Sequence, residues 1–292
     1  MTTMADWVAE TKRLAYGSLA EQMNIVSGTY TAGDEVLELE LSTEGVAPGT
    51  IVSSGLNTWW VKGVNPTTNT LYVVPNYEGS PGGNAAIGDM VTIRPRATDW
   101  FVFTTLNRVI KQMSSPQNGL YQIADWNATV DLEWDTYTIP TEAIWMMNLL
   151  RVRAKYIGST DQWQTLKPSQ YQLQRDNAVV RILVPIMAGS ELQFVYKSPF
   201  VAATALTDDA ATVMGFPLEM LDIPPLGAAA AILRTTEGTR NQLKIQGDPR
   251  RASEVTSGSN MQIAREFDRI FKDRVDEEAA RLMTQTSLYR GV

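Results

Sequence analysis

The chain has 292 residues, 25 basic and 32 acidic side chains, and neither cysteine nor histidine. Without cysteine there are no disulfides or thiolate metal sites; without histidine the commonest general base, the usual zinc ligands and every Ser-His or Cys-His arrangement are gone. At this length about two domains are expected. No apolar run approaches the ~20 residues that span a bilayer, and MTTMADWVAE lacks the regions of a secretion signal, so a soluble chain made in the cytoplasm, with no membrane partner, is expected.

Charge is unevenly placed. From Arg234 onward there are 11 basic and 9 acidic residues, which leaves 14 and 23 before it. An acidic body argues against a protein that holds nucleic acid through phosphate contacts, and suits a surface that DNA passes without sticking.

In chain order, a helix is predicted over residues 4–23, with Thr3 and Asp6 as a capping-box pair and Trp7, Val8, Leu14, Ala15 and Leu19 as its apolar stripe. Residues 25–96 then alternate in short runs, EVLELEL, TIVSS, TWWVKGV, TLYVVPN and MVTIRP, which predict five antiparallel strands in a small closed barrel or compact sandwich. Trp59 and Trp60 are consecutive, so they face opposite sides, one in the core and one exposed or at an interface. Carbohydrate stacking is one reading of the exposed ring; a subunit or domain contact is the commoner use. The glycine-rich stretch 78–89 lacks the lysine and hydroxyl of a phosphate loop and reads as a surface loop.

Helical spacing returns at Thr98, with Val102, Leu106, Val109, Ile110 and Met113 on one face and SSPQNG as the stop. Pairing of this stripe with the first helix is expected, which makes the barrel an insertion. Residues 120–200 carry a second set of strands, ATVDLEW, TYTIP, WMMNLLRVRAKYI, QYQLQ, AVVRILVPI and ELQFVYKSP, and predict an antiparallel sandwich. Its carboxylates, Asp125, Asp131, Glu133, Asp135 and Glu142, could supply the acid/base pair of a glycosidase, but alternate acidic positions far more often mark the solvated face of a sheet.

A helix is predicted over 207–216, led by Asp208 and Asp209, and another from Asp222, capped there and stopped by Gly238. Ala228 to Leu233 makes that helix apolar all round, hence buried all round. Residues 235–260 form a long polar connection with Arg240, Lys244, Arg250 and Arg251, either a linker or an arm that orders against a partner. In the last helix Ile263, Phe267, Ile270, Phe271, Val275, Ala279 and Leu282 form the stripe, and Asp268 with Lys272 and Glu277 with Arg281 can pair on the outer face.

The order of these segments, in particular SPQNGLY, YKSPF, DIPPLGAAA and QGDPRRASEV, resembles the head-to-tail connector, or adaptor, proteins of the tailed-bacteriophage neck. The likeness covers essentially the whole chain, and none of its motifs is catalytic. The tryptophan pair and the loop 78–89 depart from the pattern. The resemblance implies a homo-oligomeric ring, usually of twelve subunits, docked beneath the portal protein in the virion neck. It further implies that the next neck or tail protein docks on this ring, and that packaged DNA passes through the lumen without sequence-specific binding.

The expected fold class is therefore α+β: a helical adaptor core (residues 1–24 and 98–118) interrupted by a small β-barrel insertion (25–97) and an antiparallel β-sandwich (119–200), with C-terminal helices (201–292) that include a basic arm (235–260). No enzyme, cofactor, metal or catalytic residue is expected. Arg240, Lys244, Arg250, Arg251, Arg265 and Arg269 are the candidate portal- or neighbour-binding residues, and Trp59 and Trp60 the candidate interface aromatics. The alternative functions are a carbohydrate- or receptor-binding tail component and a cell-wall glycosidase working through two carboxylates.

Overall fold

The computed structural model describes residues 2–17, 21–115, 118–131, 136–138, 149–156, 162–174, 179–246 and 259–290, with the backbone alone at 237–246, 259 and 285–290. The chain forms two compact units. One comprises Met1–Val109, Ala203–Val213 and Leu221–Phe271; the other comprises Ile110–Ala202, Met214–Met220 and Lys272–Val292.

In the first unit, helix α1 (Met4–Tyr16) opens on the expected capping box: the Asp6 amide donates to Thr3 Oγ1 at 3.3 Å and the Thr3 amide donates to Asp6 Oδ2 at 2.7 Å. It closes at Gly17, whose φ of 70° is ordinary only for glycine. The stretch before and within its first turn is held to residues 203–213 by backbone bonds, Met4 N–H to Asp208 O and Ala210 N–H to Thr2 O, both 2.9 Å.

Six short antiparallel strands follow: β1 (Gln22–Ile25), β2 (Val36–Glu38), β3 (Ile51–Ser54), β4 (Asn57–Asn65), β5 (Thr70–Val74) and β6 (Met90–Ile93), in the order β1-β6-β3-β4-β5-β2. The sheet curls as a half-barrel. Its outermost strands meet beyond their ends at an isolated Val26–Leu39 bridge, flanked by Ser27 N–H to Glu38 O at 3.0 Å and Glu40 N–H to Ile25 O at 2.8 Å. Alternation decides what it encloses: Leu37, Val52, Trp59, Val61, Leu71, Val73, Val91 and Ile93 point inward with Tyr30, whose ring meets Trp59 edge-on at 5.3 Å.

Helix α2 (Asp99–Met113) is tied to α1 by a 2.6 Å ion pair between Lys12 and Asp99, and Asn107 exchanges two 2.9 Å hydrogen bonds with the backbone of Ala203. Helix α3 (Ile223–Gln246) packs along α1, burying Ala228, Ala229, Ala230, Ile232 and Leu233. Helix α4 (Ser259–Arg290) joins α3 through Arg234 and Asp268, 2.8 Å apart, and through Gly227, where a Cβ would lie 2.8 Å from both Phe271 and Val109. The glycine is what lets these helices approach so closely.

The second unit holds two antiparallel sheets. β7 (Gln122–Thr129), β9 (Leu149–Lys155), β10 (Gln164–Thr165) and β13 (Glu191–Ser198) run in the order β10-β9-β13-β7. β8 (Thr136–Thr138), β11 (Tyr171–Gln174) and β12 (Val179–Ile182) run in the order β11-β12-β8. They share one core: Val152, Ala154, Leu192 and Phe194 from the first sheet pack with Tyr137, Val180 and Ile182 from the second. Phe194 is central to it, with Trp126 stacked at 5.2 Å and Tyr137 at 5.7 Å.

Several expectations need correction. The chain does not build a helical adaptor core: it is a mixed α and β protein with four helices among the described residues and mostly antiparallel sheets, the largest a curled half-barrel. The reason lies in the partner of α1. Its stripe packs mainly on α3, whose run of small buried alanines permits close approach, and not on α2 as the stripe alone suggested. The first helix ends at Tyr16, not near residue 23, and the chain re-enters as β1. Residues 207–216 are turns, because Asp208 and Asp209 use their carboxylates to bond nearby backbone amides and hold the chain out of a helix. Gly238 does not stop α3, which runs to Gln246, so the first part of the expected connection is helical, and residues 247–258 lie outside the described residues. In the second module a strand covers residues 122–129, starting ahead of ATVDLEW, whose residues 132–134 lie outside the described residues.

Candidate functional site

The residues singled out from the sequence fall on two surfaces. On the C-terminal helices, Arg240 and Lys244 lie in the last turns of α3. Arg250 and Arg251 lie outside the described residues. Arg265 is exposed on α4. Arg269 holds Glu266 in a two-pronged pair, Nη2 to Oε1 at 2.5 Å and Nε to Oε2 at 3.2 Å, and this guanidinium keeps the Glu266 carboxyl below its usual range. Asp268 is bonded to Arg234, and of the outer-face pairs expected from the sequence Glu277 with Arg281 is rearranged, Arg281 reaching back to Glu278 at 2.7 Å. Arg274 pairs with Glu277 and donates to the carbonyl of Glu219 at 2.8 Å. Within each unit α4 is therefore fastened by arginine forks, and its remaining exposed charge is a mixed field rather than a uniform basic face.

The second surface is the outer side of the half-barrel. Trp59 is 1% exposed and belongs to the core, whereas Trp60 is half-buried on the other side, opposite Ile51 and Val74. Two residues the sequence reading passed over complete this side: Tyr72, 45% exposed, stands opposite Val36, 42% exposed. The alternation of LYVV and EVLELEL held the signal, since Tyr72 falls between buried Leu71 and Val73, and Val36 precedes buried Leu37. Exposed Glu38 at the end of β2 and Glu40 just beyond it continue the outward alternation, and Lys62 is bonded to Glu35 at 3.0 Å.

A shallow cleft of about 450 Å³ in the first unit is lined by Ala15, Tyr16, Arg96, Leu233, Thr236 and Asn260. Burial raises the Tyr16 phenol above its ordinary pKa, so it stays neutral, and none of the described residues that line the cleft is a carboxylate. Asp125 accepts from the Gln193 amide at 3.0 Å and Asp131 is exposed, while Glu133, Asp135 and Glu142 lie outside the described residues. Among the described residues no group of acidic side chains is placed to hold a metal ion, and no helix is long and apolar enough to cross a membrane. The chain matches no protein-family model and no curated protein.

Proposed function

We propose that this chain is a structural head-to-tail adaptor of a tailed-phage neck, one subunit of a ring that docks on the portal and receives the next neck or tail protein. The observation that carries the reading is the sequence resemblance, in the order SPQNGLY, YKSPF, DIPPLGAAA, QGDPRRASEV. YKSPF makes joints of the second unit with SPQNGLY and the residues flanking it: the Phe200 amide donates to Ser114 Oγ at 2.9 Å, Gln122 Nε2 donates to Pro199 O at 2.9 Å, and the Lys197 ammonium lies 4.0 Å above the Tyr121 ring. Segments used in this way hold a fold together and need not carry chemistry, as suits a structural protein.

The basic stretch 235–260 with α4 is the portal-facing attachment. Arginine forks pair with carboxylates, and each exposed pair contributes only ~0.2–1 kcal/mol, so repetition around a ring supplies the affinity. The test is Arg250→Glu with Arg251→Glu, added to purified portal-containing heads and followed by co-sedimentation. The variant should remain folded and lose most of its docking. Unchanged docking in the variant, together with undiminished recovery of free chain, would refute this attachment.

A further inference from the structure

We propose that the outward face of β4, β5 and β2 docks a lysine- or arginine-bearing segment of a partner protein. The face stands by itself, whichever assembly the chain joins. Cross-strand pairing sets Trp60 beside Val74 and Tyr72 beside Val36, so apolar side chains run across three neighbouring strands. Single exposed apolar residues are ordinary, but a contiguous set on one side of a sheet marks a contact surface. The β4–β5 register shifts between Val61 and Gly63, which brings Gly63 opposite Tyr72; a Cβ there would sit 3.6 Å from Cδ2 of the ring. With no side chain at Gly63, that flank of Tyr72 is open.

Charge chooses the occupant. The outward positions after Val36 are Glu38, the last residue of β2, and Glu40 just beyond it, which have no ion pair among the described residues, while Lys62 on this face is already held by Glu35. Residues 22–97 contain seven acidic and three basic side chains. An apolar neutral partner would strip water from the carboxylates without replacing it, and an acidic one would be repelled. A lysine or arginine meets both demands: its methylene stem covers Val36 and Val74, its cation lies over the Tyr72 or Trp60 ring within ~6 Å, and the carboxylates neutralise it.

The experiment is fluorescence anisotropy of a labelled twelve-residue peptide alternating leucine with lysine and arginine, titrated with the full chain. A matched peptide carries glutamine and citrulline at the basic positions, and a cello- or chito-oligosaccharide competes in a third arm. The basic peptide should bind at least ten-fold more tightly than the neutral one. Tyr72→Ala, Val36→Ser, and Glu38→Gln with Glu40→Gln should each weaken it five-fold or more. Glu44→Gln with Glu191→Gln, which removes the same charge elsewhere, should not. Absence of saturable binding, equal loss in the control, or no loss in both Tyr72→Ala and Val36→Ser overturns the proposal. Binding of the oligosaccharide that disappears in Tyr72→Ala overturns it in favour of a glycan platform.

Discussion

Arg281 donates to the buried carboxylate of Glu278 at 2.7 Å, one helical turn along the same face of α4. Arg274 stands 3.5 Å from the other oxygen and also donates to Glu219 O, so one buried acid fastens the turn Leu218–Met220 to the helix within the second unit. Removing that charge takes one anionic partner from each of two guanidinium groups in a partly closed site. Glu278→Gln should cost ~1–3 kcal/mol in urea unfolding of the second unit, less than a fully buried pair because both arginines reach solvent. The neighbouring Glu277→Gln, on an exposed carboxylate, should stay within ~0.5 kcal/mol. Equal effects in the two variants would remove the special role assigned to Glu278.

Consecutive tryptophans on β4 provide the second prediction. Trp59 fills the half-barrel against Tyr30, and Trp60 lies on the outer side. Trp59→Ala should destabilise by ~3–5 kcal/mol through the cavity it leaves. Trp60→Ala should cost roughly 1 kcal/mol, in keeping with a half-buried ring. Thermal melts followed by circular dichroism distinguish them, and a larger loss at Trp60 would mean that the two faces are exchanged.

Acid should loosen the start of the chain. Asp208 is held below its ordinary pKa by the Ala205 and Thr204 amides, Asp209 by the Thr212 amide, and Asp6 by the Thr3 amide. A depressed folded-state pKa gives stability that is present above the unfolded value of ~3.9 and is lost as pH falls through the folded values. Stability of the first unit should therefore begin to decline as pH approaches about 4 and go on declining through the lowered folded-state values. Asp208→Asn with Asp209→Asn should flatten that decline while lowering stability at neutral pH. An unchanged slope would show that these carboxylates do not control it.

The sequence made the local rules of this fold legible and its long-range pairings much less so. Alternation in EVLELEL, TWWVKGV and LYVV located β2, β4 and β5, and Thr3 with Asp6 located the start of α1, because each is a short-range pattern. What α1 packs against depends on the close approach allowed by Ala228 to Ala230, and a stripe on α1 cannot name its partner. Residues 207–216 looked helical by composition, yet Asp208 and Asp209 bonded their own neighbourhood first. The outer aromatic face was half legible: opposite facing of Trp59 and Trp60 follows from strand geometry, whereas the approach of Tyr72 and Val36 is set by register, which no single strand reveals.

With an acidic body, the isolated chain should bind duplex DNA weakly and only at low salt. Electrophoretic mobility shifts at rising salt should vanish well before physiological ionic strength and show no preference among sequences. A complex that survives physiological salt and competitor DNA would contradict the view that DNA merely passes it.

The central claim is that the chain is a ring-forming neck adaptor, and the most direct measurement is averaged electron microscopy of portal-containing heads incubated with the purified chain. The account predicts an added ring of density at the portal, rotationally symmetric, in which each subunit contacts its neighbours through more than the ~1,600 Å² of a standard interface. Heads without added density beside a chain that stays monomeric, or density at the far end of an assembled tail, would contradict it.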